Sequence, residues 1–548
     1  MPTVSCNRFL IANLKGRTWK ALKRERVNSS IWKIADDLRG TVDGWDFKQY
    51  VLGALFYRFL SESLEDRINS NKRAAGNEGF RYRDLEDNRI SAEIREGLID
   101  ENGFCILPSQ LFCNVAQSAK RNCRDLNIKL ERIFRQIIDS TLGRPSEKAF
   151  KGLFDDFDVS SNKLGSTLEK KCETLRRLLL GIESFQVSDI PGSSRDTFGD
   201  AYEFLITMYA SKAGKSGGEF FTPPEVGKFL AKISLQDPAR ESGYKKKVGS
   251  VYDPTCGSGG LLLKFAKILG AENVDRFYGQ DVNLMVYNLS RMNMILHEIP
   301  FEKFDIYCED TLLKPAFLPS SRDSVDDRFE CVVSNPPYSV SWKGDADPTL
   351  INDPRFSKAG KLAPKGKADW AFAEHSLYYL KDKGCAAIVC FPGIFYRAGA
   401  EGQIRKWMTE NNYVDSVISL PENLFFGTSI STCILVLRKN KKDSKVLFVD
   451  ASDEFKHEGN KNKLTDENIG HILALLQERE TKSGKSYLAS MKEIETRNWS
   501  LAVNLYVQKE NGKEEVDIRA LNQKISQTVK REEKTRGELD ELIKGLGF

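Results

Sequence analysis

Paired cysteines, metal-ligand spacings and long apolar runs are what this sequence lacks. Its eleven cysteines run from Cys6 to Cys433 without a single C-x-x-C pair. That excludes a zinc ribbon and implies free thiols in a reducing compartment, the cytoplasm, with Cys385 and Cys390 inside an apolar run expected as core. Histidine is scarce: His297, His375, His457 and His471 lie far apart, none with a ligating neighbour at helical spacing. Structural roles are expected of all four, and no metal. No apolar run approaches the roughly 20 residues of a membrane span. Met1–Leu10 lacks the basic-then-apolar order of a secretory signal, so no membrane partner is expected. A dominant charge is missing too. Against 77 Asp+Glu stand 82 Lys+Arg, a net charge of +5, which permits a nucleic-acid partner without arguing for one.

What is present changes texture twice along 548 residues, too many for one core. Up to about Leu180 the apolar residues recur at helical spacing, as in Trp45–Leu64 and Leu126–Leu142. The middle alternates helical segments with short β-rich runs. These are Val248–Tyr252, Arg276–Gly279, Phe304–Cys308, Glu330–Val333, Ala386–Phe391, Val414–Ser419, Thr432–Leu437 and Val446–Val449. Runs that are apolar without alternation predict a parallel sheet covered on both faces, an α/β doubly wound core. From about Leu464 the chain is charged and reads as helical, with Ile518, Leu521, Ile525 and Val529 forming an apolar stripe.

Strand Val248–Tyr252 runs into Asp253-Pro254-Thr255-Cys256-Gly257-Ser258-Gly259-Gly260 and then an apolar helix, Leu261–Leu269. Glycines let the backbone approach a ligand, and the helix start offers free N–H donors. The turn alone fits any nucleotide site or a tight βα connection. It is neither G-x-G-x-x-G nor G-x-x-x-x-G-K-[ST], which disfavours hydride transfer and ATP hydrolysis. The next strand ends on Asp281, 21 residues after Gly260. A carboxylate there can accept both hydroxyls of a ribose. Upstream, Gly217-Gly218-Glu219-Phe220-Phe221-Thr222-Pro223-Pro224 leads into a helix near Glu225. Thr222 is expected to cap it with Pro223 at its first position, which leaves the paired aromatics unexplained.

Strand Glu330–Val333 runs into Ser334-Asn335-Pro336-Pro337-Tyr338. The prolines fix the backbone and set a carboxamide oxygen beside a carbonyl with no competing N–H. Two such acceptors can clasp an exocyclic amine and aim its lone pair. Tyr338 can stack on a base flipped out of a duplex. The turn follows the fourth strand, at the end where doubly wound sheets bind ligands.

Together, Asp253–Gly260, Asn335–Tyr338 and Glu219–Pro224 resemble the amino-methyltransferases of DNA. From about Asn28 onward the chain resembles the modification subunit of type I restriction-modification systems. The resemblance implies a Rossmann-like S-adenosylmethionine-dependent core at 188–463, a helical N-terminal domain at 28–187 and a helical tail at 464–548. Residues 1–27 match nothing. It implies that Glu219, Phe220, Phe221, Thr222, Pro223, Pro224, Asp253, Thr255, Gly257, Ser258, Gly259, Gly260 and Asp281 contact S-adenosylmethionine. Asp310 stands at the acidic position near the cofactor adenine, and Asn335, Pro336, Pro337 and Tyr338 handle the target adenine. The same Asn-Pro-Pro-Tyr serves methylation of protein glutamine and of RNA guanine. Those enzymes resemble shorter chains without the Gly217–Pro224 segment. A non-catalytic scaffold is disfavoured because every motif residue is present.

No stretch reads as a surface for base edges in a DNA groove. The resemblance supplies what is missing: a separate specificity subunit bound by two copies of this chain, a restriction subunit able to join, and double-stranded DNA as substrate. Lys343, Lys358, Lys361, Lys365 and Lys367, between Tyr338 and Asp369, suit phosphates or plain solvent. Asp450, Glu454 and Lys456 mimic the D…E-x-K of nucleases, but so loose a pattern is set aside.

Overall fold

The structure is a computed structural model. It describes residues 46–121, 124–184, 197–212, 221–237, 243–317, 328–344, 347–425, 428–459, 461–508 and 518–545. The extension 1–27, and with it Glu219 and Phe220, lies outside the described residues.

The first described third is helical, as its periodicity predicts. Helix Asp46–Ala74 buries Tyr50, Phe56, Tyr57, Leu60 and Leu64. It packs on helices Phe112–Arg121 and Leu168–Ser184. Aromatic rings fill the space between: Phe134 stacks on Phe154 with centroids 4.3 Å apart, and Tyr57 meets Phe134 edge-on at 5.4 Å. Helix Ala92–Asn102 starts where the Ser91 hydroxyl accepts from the Ile94 amide and stops at Gly103, whose φ is 81°.

All eight sequence-derived strands are present: β1 (Val248–Asp253), β2 (Val274–Asp281), β3 (Phe304–Cys308), β4 (Phe329–Ser334), β5 (Leu380–Cys390), β6 (Val414–Ser419), β7 (Cys433–Leu437) and β8 (Val446–Asp450). A hairpin adds β9 (Lys456–Glu458) and β10 (Lys461–Lys463), and β11 (Ser486–Ala489) follows. The main sheet has the order β11-β8-β6-β7-β5-β4-β1-β2-β3.

Two expectations need correction. The sheet is mixed rather than parallel: β7 inserts antiparallel between β5 and β6. Apolar runs report burial on both faces, which β7 has at all five residues, and burial carries no information on strand direction. The segment from Leu464 is also not purely helical. β11 pairs antiparallel with β8, and helix Asp466–Glu478 packs against β8. The sheet-bearing unit therefore runs on to Ala489. The nine described cysteines are free thiols, with Cys385 and Cys390 buried.

The helical layer and the sheet layer meet through helix Leu284–Leu296. Asn288 donates to Asp156 at 2.6 Å. The buried Arg291 guanidinium donates to the carbonyls of Lys148 at 3.1 Å and Lys151 at 2.7 Å, and lies 4.0 Å from the centre of the Tyr287 ring. No described helix is long and apolar enough to cross a membrane.

Candidate active site

Parallel strands β1, β2, β3 and β4 all end on the same side of the sheet, and the chemistry-bearing residues sit at those ends. β1 delivers Asp253, which is fully buried. One of its carboxylate oxygens accepts from the Thr255 amide at 3.0 Å, and the other, Oδ2, has no hydrogen-bond partner among the described residues. Burial, reinforced by the negative charge of Asp281, pushes its pKa up to about 8. After it the chain turns through Gly259 at φ 75°, where a Cβ would stand 2.8 Å from the Ser290 hydroxyl. Only glycine fits, and helix Gly260–Leu269 starts at once.

β2 delivers Asp281, whose two oxygens accept from the amides of Gly257 at 3.0 Å and Asn283 at 2.9 Å. The carboxylate thus ties the glycine turn to the start of helix Leu284–Leu296. Burial raises its pKa against these N–H groups. β3 leads to Asp310, which caps the next turn by accepting from the amides of Leu312 at 2.9 Å and Leu313 at 3.1 Å. β4 delivers Ser334 and Asn335. The Ser334 and Thr255 hydroxyls share a 2.8 Å hydrogen bond, so the glycine turn and the Asn-Pro-Pro-Tyr turn are joined directly.

Asn335 is held at both ends of its carboxamide. Its Nδ2 donates to the Thr222 hydroxyl at 3.1 Å, and its Oδ1 accepts from the Tyr338 hydroxyl at 3.0 Å. Ser339 then takes φ 51° and donates its amide to Asp369 at 3.1 Å. Burial raises the Tyr338 phenol pKa. Thr222 does not cap the helix as its sequence context suggested. Helix Pro224–Leu235 has Pro223 at its cap position, with no side-chain bond, and the Thr222 hydroxyl is used on Asn335 instead.

A solvent-open cavity lies between these turns. Of the sequence candidates, Phe221, Thr222, Pro224, Asp253, Thr255, Gly257, Ser258, Gly260 and Asn335 line it. Pro223, Gly259, Asp281, Asp310, Pro336, Pro337 and Tyr338 do not, although Asp281, Pro336 and Tyr338 adjoin the lining through the bonds and chain links above. Sequence reasoning missed Glu203, Thr207 and Lys264 in the same wall. Glu203 pairs with Lys264 at 3.3 Å and Lys267 at 3.2 Å. Burial works to raise its pKa, but these lysines and His297 hold it down at about 2. Asp200, Glu203 and His297 come close enough together to suit a metal. Lys267, however, donates to both carboxylates, so the cluster carries its own cations. The only signal for it in sequence was one helix face, Asp200 and Glu203, with nothing to say which lysines would meet it.

The nuclease mimic dissolves into structural bonds. Asp450 accepts from the Ser419 hydroxyl at 3.0 Å and the Ser452 amide at 2.9 Å, while Glu454 takes Asn468 at 3.0 Å. His375 is fully buried between the Tyr252 hydroxyl at 2.9 Å and Arg355 at 3.0 Å. Burial and the arginine charge hold its pKa well below the usual range.

The family description N-6 DNA Methylase matches residues 193–515, more than half of the chain, and the HsdM N-terminal domain matches 27–182. The chain belongs to the N-6 DNA methylase family. Within it, the chain is 46% identical to the MpnII type I restriction enzyme methylase subunit of Mycoplasma pneumoniae over 534 residues, 96% of this chain and 97% of that one. It is 26% identical to the MjaIX methylase subunit of Methanocaldococcus jannaschii, covering 95% and 91%. The methyltransferase subunit of a type I restriction-modification system from Streptococcus thermophilus has the same fold: TM-score 0.76, 34% identity, 88% of this chain and 99% of that chain. This N-6 DNA methylase is a type I methylase subunit. Its matched catalytic span holds every described strand from β1 to β11 and helix Thr197–Lys212, which packs on Leu284–Leu296, and the N-terminal match covers helix Asp46–Ala74, which packs there too.

Proposed function

We propose that the cavity takes S-adenosylmethionine and that the Asn335–Tyr338 turn takes an adenine flipped from double-stranded DNA. The chain then methylates N6 of that adenine as the modification subunit of an assembly with specificity and restriction subunits, two copies per specificity subunit. The supporting observation is the place of Asn335. It lines the cavity with one side and continues into the Pro336-Pro337-Tyr338 turn with the other, so an amine held at its carboxamide borders whatever fills the cavity.

The residues fit the cofactor. Asp253 Oδ2 is a buried acceptor without a partner among the described residues, beside the N–H donors of a helix start, and suits an ammonium group. Asp281, at the end of β2, and Asp310, just after β3, serve as ribose and adenine acceptors. S-adenosylmethionine supplies an electrophilic methyl carbon when bound. Asn335 Oδ1 and the Pro336 carbonyl accept the two amino protons of adenine, which turns the nitrogen lone pair toward the cavity. Thr222 fixes which end of the Asn335 carboxamide points that way. Asn335 Oδ1 has two lone pairs and can accept from the base beside the Tyr338 hydroxyl, and release of that hydroxyl would free the Tyr338 ring to stack on the base. Residues 28–187, 188–463 and 464–548 serve as helical domain, catalytic core and tail, with β11 as the tail's contribution to the core sheet.

Radiolabelled methyl transfer tests the function. Duplex DNA is expected to accept the label as N6-methyladenine when the specificity subunit is present, and RNA and release-factor protein to accept none. Label found as N4-methylcytosine would overturn the choice of base.

A pH dependence follows from Asp253. Free, its carboxyl holds a proton below about pH 8. Paired with an ammonium it is ionised, so binding must expel that proton. Cofactor affinity is therefore expected to rise by up to about tenfold per unit from pH 6 toward 7.5, with about one proton released. Calorimetry in buffers of different ionisation enthalpy reads the proton directly. The Asp253→Asn variant should bind more weakly and lose the slope, and an unchanged slope would remove Asp253 from the ammonium site.

A further inference from the structure

Among the described residues that line the cavity, Lys264 is the only cation. It stands on helix Gly260–Leu269, one turn after the glycine turn and on the same face as Gly260. Packing fixes its stem. Helix Pro224–Leu235 lies against this helix and presents Gly227, where a Cβ would stand 3.4 Å from Lys264 Cγ and 3.7 Å from its Cε. The lysine chain therefore runs along bare backbone, and its side chain is only 12% exposed. Such a lysine is held in place before any ligand arrives, unlike one on an open surface.

The ammonium ends at Glu203, which lines the same cavity. Its Nζ lies 3.5 and 3.3 Å from the two carboxylate oxygens, longer than the roughly 2.7–2.9 Å of a tight ammonium–carboxylate bond. Glu203 does not depend on this contact alone. Lys267, outside the cavity lining, donates to it at 3.2 Å and to Asp200 at 2.9 Å. A ligand can thus take up the Lys264 charge without leaving Glu203 unpaired, which would be costly at this depth. The proposed cofactor carries an ammonium and a carboxylate on one carbon. Asp253 suits the ammonium. The carboxylate needs a charge of the other sign, and the amides at a helix start offer only a partial one.

We propose that Lys264 holds the carboxylate of the cofactor's amino-acid end, with Glu203 as the positioning residue that keeps the ammonium at the cavity wall. This rests on the proposed function above. Calorimetry on the full-length chain compares S-adenosylmethionine with its decarboxylated analogue, which keeps the ammonium and the sulfonium and lacks only the carboxylate. The unaltered chain is expected to prefer the parent by at least about tenfold, the scale of one charge-assisted hydrogen bond. K264Q should lose that factor for the parent and bind the analogue as the unaltered chain does. E203Q/K264Q, which removes both charges of the pair, should repeat the result, and K264R should restore the preference. D253N gives the contrast: it should weaken both ligands, because both carry the ammonium. An undiminished preference in K264Q overturns the assignment. Equal weakening of both ligands in K264Q and E203Q/K264Q does so too, since it makes the pair a brace between helices rather than a ligand contact. If the unaltered chain binds neither ligand, the proposed function itself falls, whereas binding without preference for the parent removes Lys264 alone.

Discussion

Asn335→Ala is expected to abolish methyl transfer, with kcat lower by at least about 10²–10³, the range seen when one preorganised polar contact to a reacting group is removed. The reason is positional. Asn335 supplies one of two acceptors for the amine, and the Pro336 carbonyl alone cannot fix the direction of the nitrogen lone pair. The fold should survive. Asn335 is half-buried, and among the described residues its side chain bonds only Thr222 and Tyr338, so the loss costs about 0.5–1.5 kcal/mol per bond. Cofactor affinity by calorimetry should change little, because the remaining cavity wall is untouched. Transfer at more than a tenth of the normal rate would mean that the amine is held elsewhere.

Deleting Glu515–Phe548 is expected to leave cofactor binding intact and to destroy stable association with the specificity subunit. The structure describes a helix over Ile518–Gly545, with Ile525 54% and Val529 46% exposed. The side chains of Ile518 and Leu521, which begin the stripe, lie outside the described residues. Covering two such half-exposed aliphatic groups on a partner is worth about 0.7–1.5 kcal/mol each, so affinity should fall at least about tenfold. Co-purification and sedimentation read the association. A truncated chain that still assembles would assign the dock to another face.

The glycine turn, Asp281 and the Asn-Pro-Pro-Tyr turn were legible in the sequence because each is a local device: a strand end, residues with restricted backbone, and the start of a helix. Strand positions were legible for the same reason, since burial on both faces leaves an uninterrupted apolar run. β11 escaped because Ser486–Ala489 is a short edge strand with its middle residues only half-buried, set among charged residues. The direction of β7 escaped because pairing sense has no local signature. Thr222 shows the limit most clearly. Its neighbours Pro223 and Pro224 point to a helix start, yet its hydroxyl is used on a residue 113 positions away. The Arg355 guanidinium, which donates to the Thr311 carbonyl at 2.9 Å, and the Glu203–Lys264 pair are long-range in the same way, joining segments that only the folded sheet brings together.

Arg291 makes the boundary between the two layers resistant to shear. Sliding the N-terminal helices across Leu284–Leu296 by a single residue would strand a buried guanidinium and the carbonyls of Lys148 and Lys151 that it satisfies. Each stranded group costs about 1–3 kcal/mol or more. The helix is a stiff rod about 20 Å long. Its first turn is capped by Asn283, whose amide is bonded to Asp281, and Asp281 in turn holds Gly257. With slip suppressed, the N-terminal layer, this rod and the glycine turn are joined in series, so displacing the rod along its axis would strain the Asp281 bonds that hold Gly257.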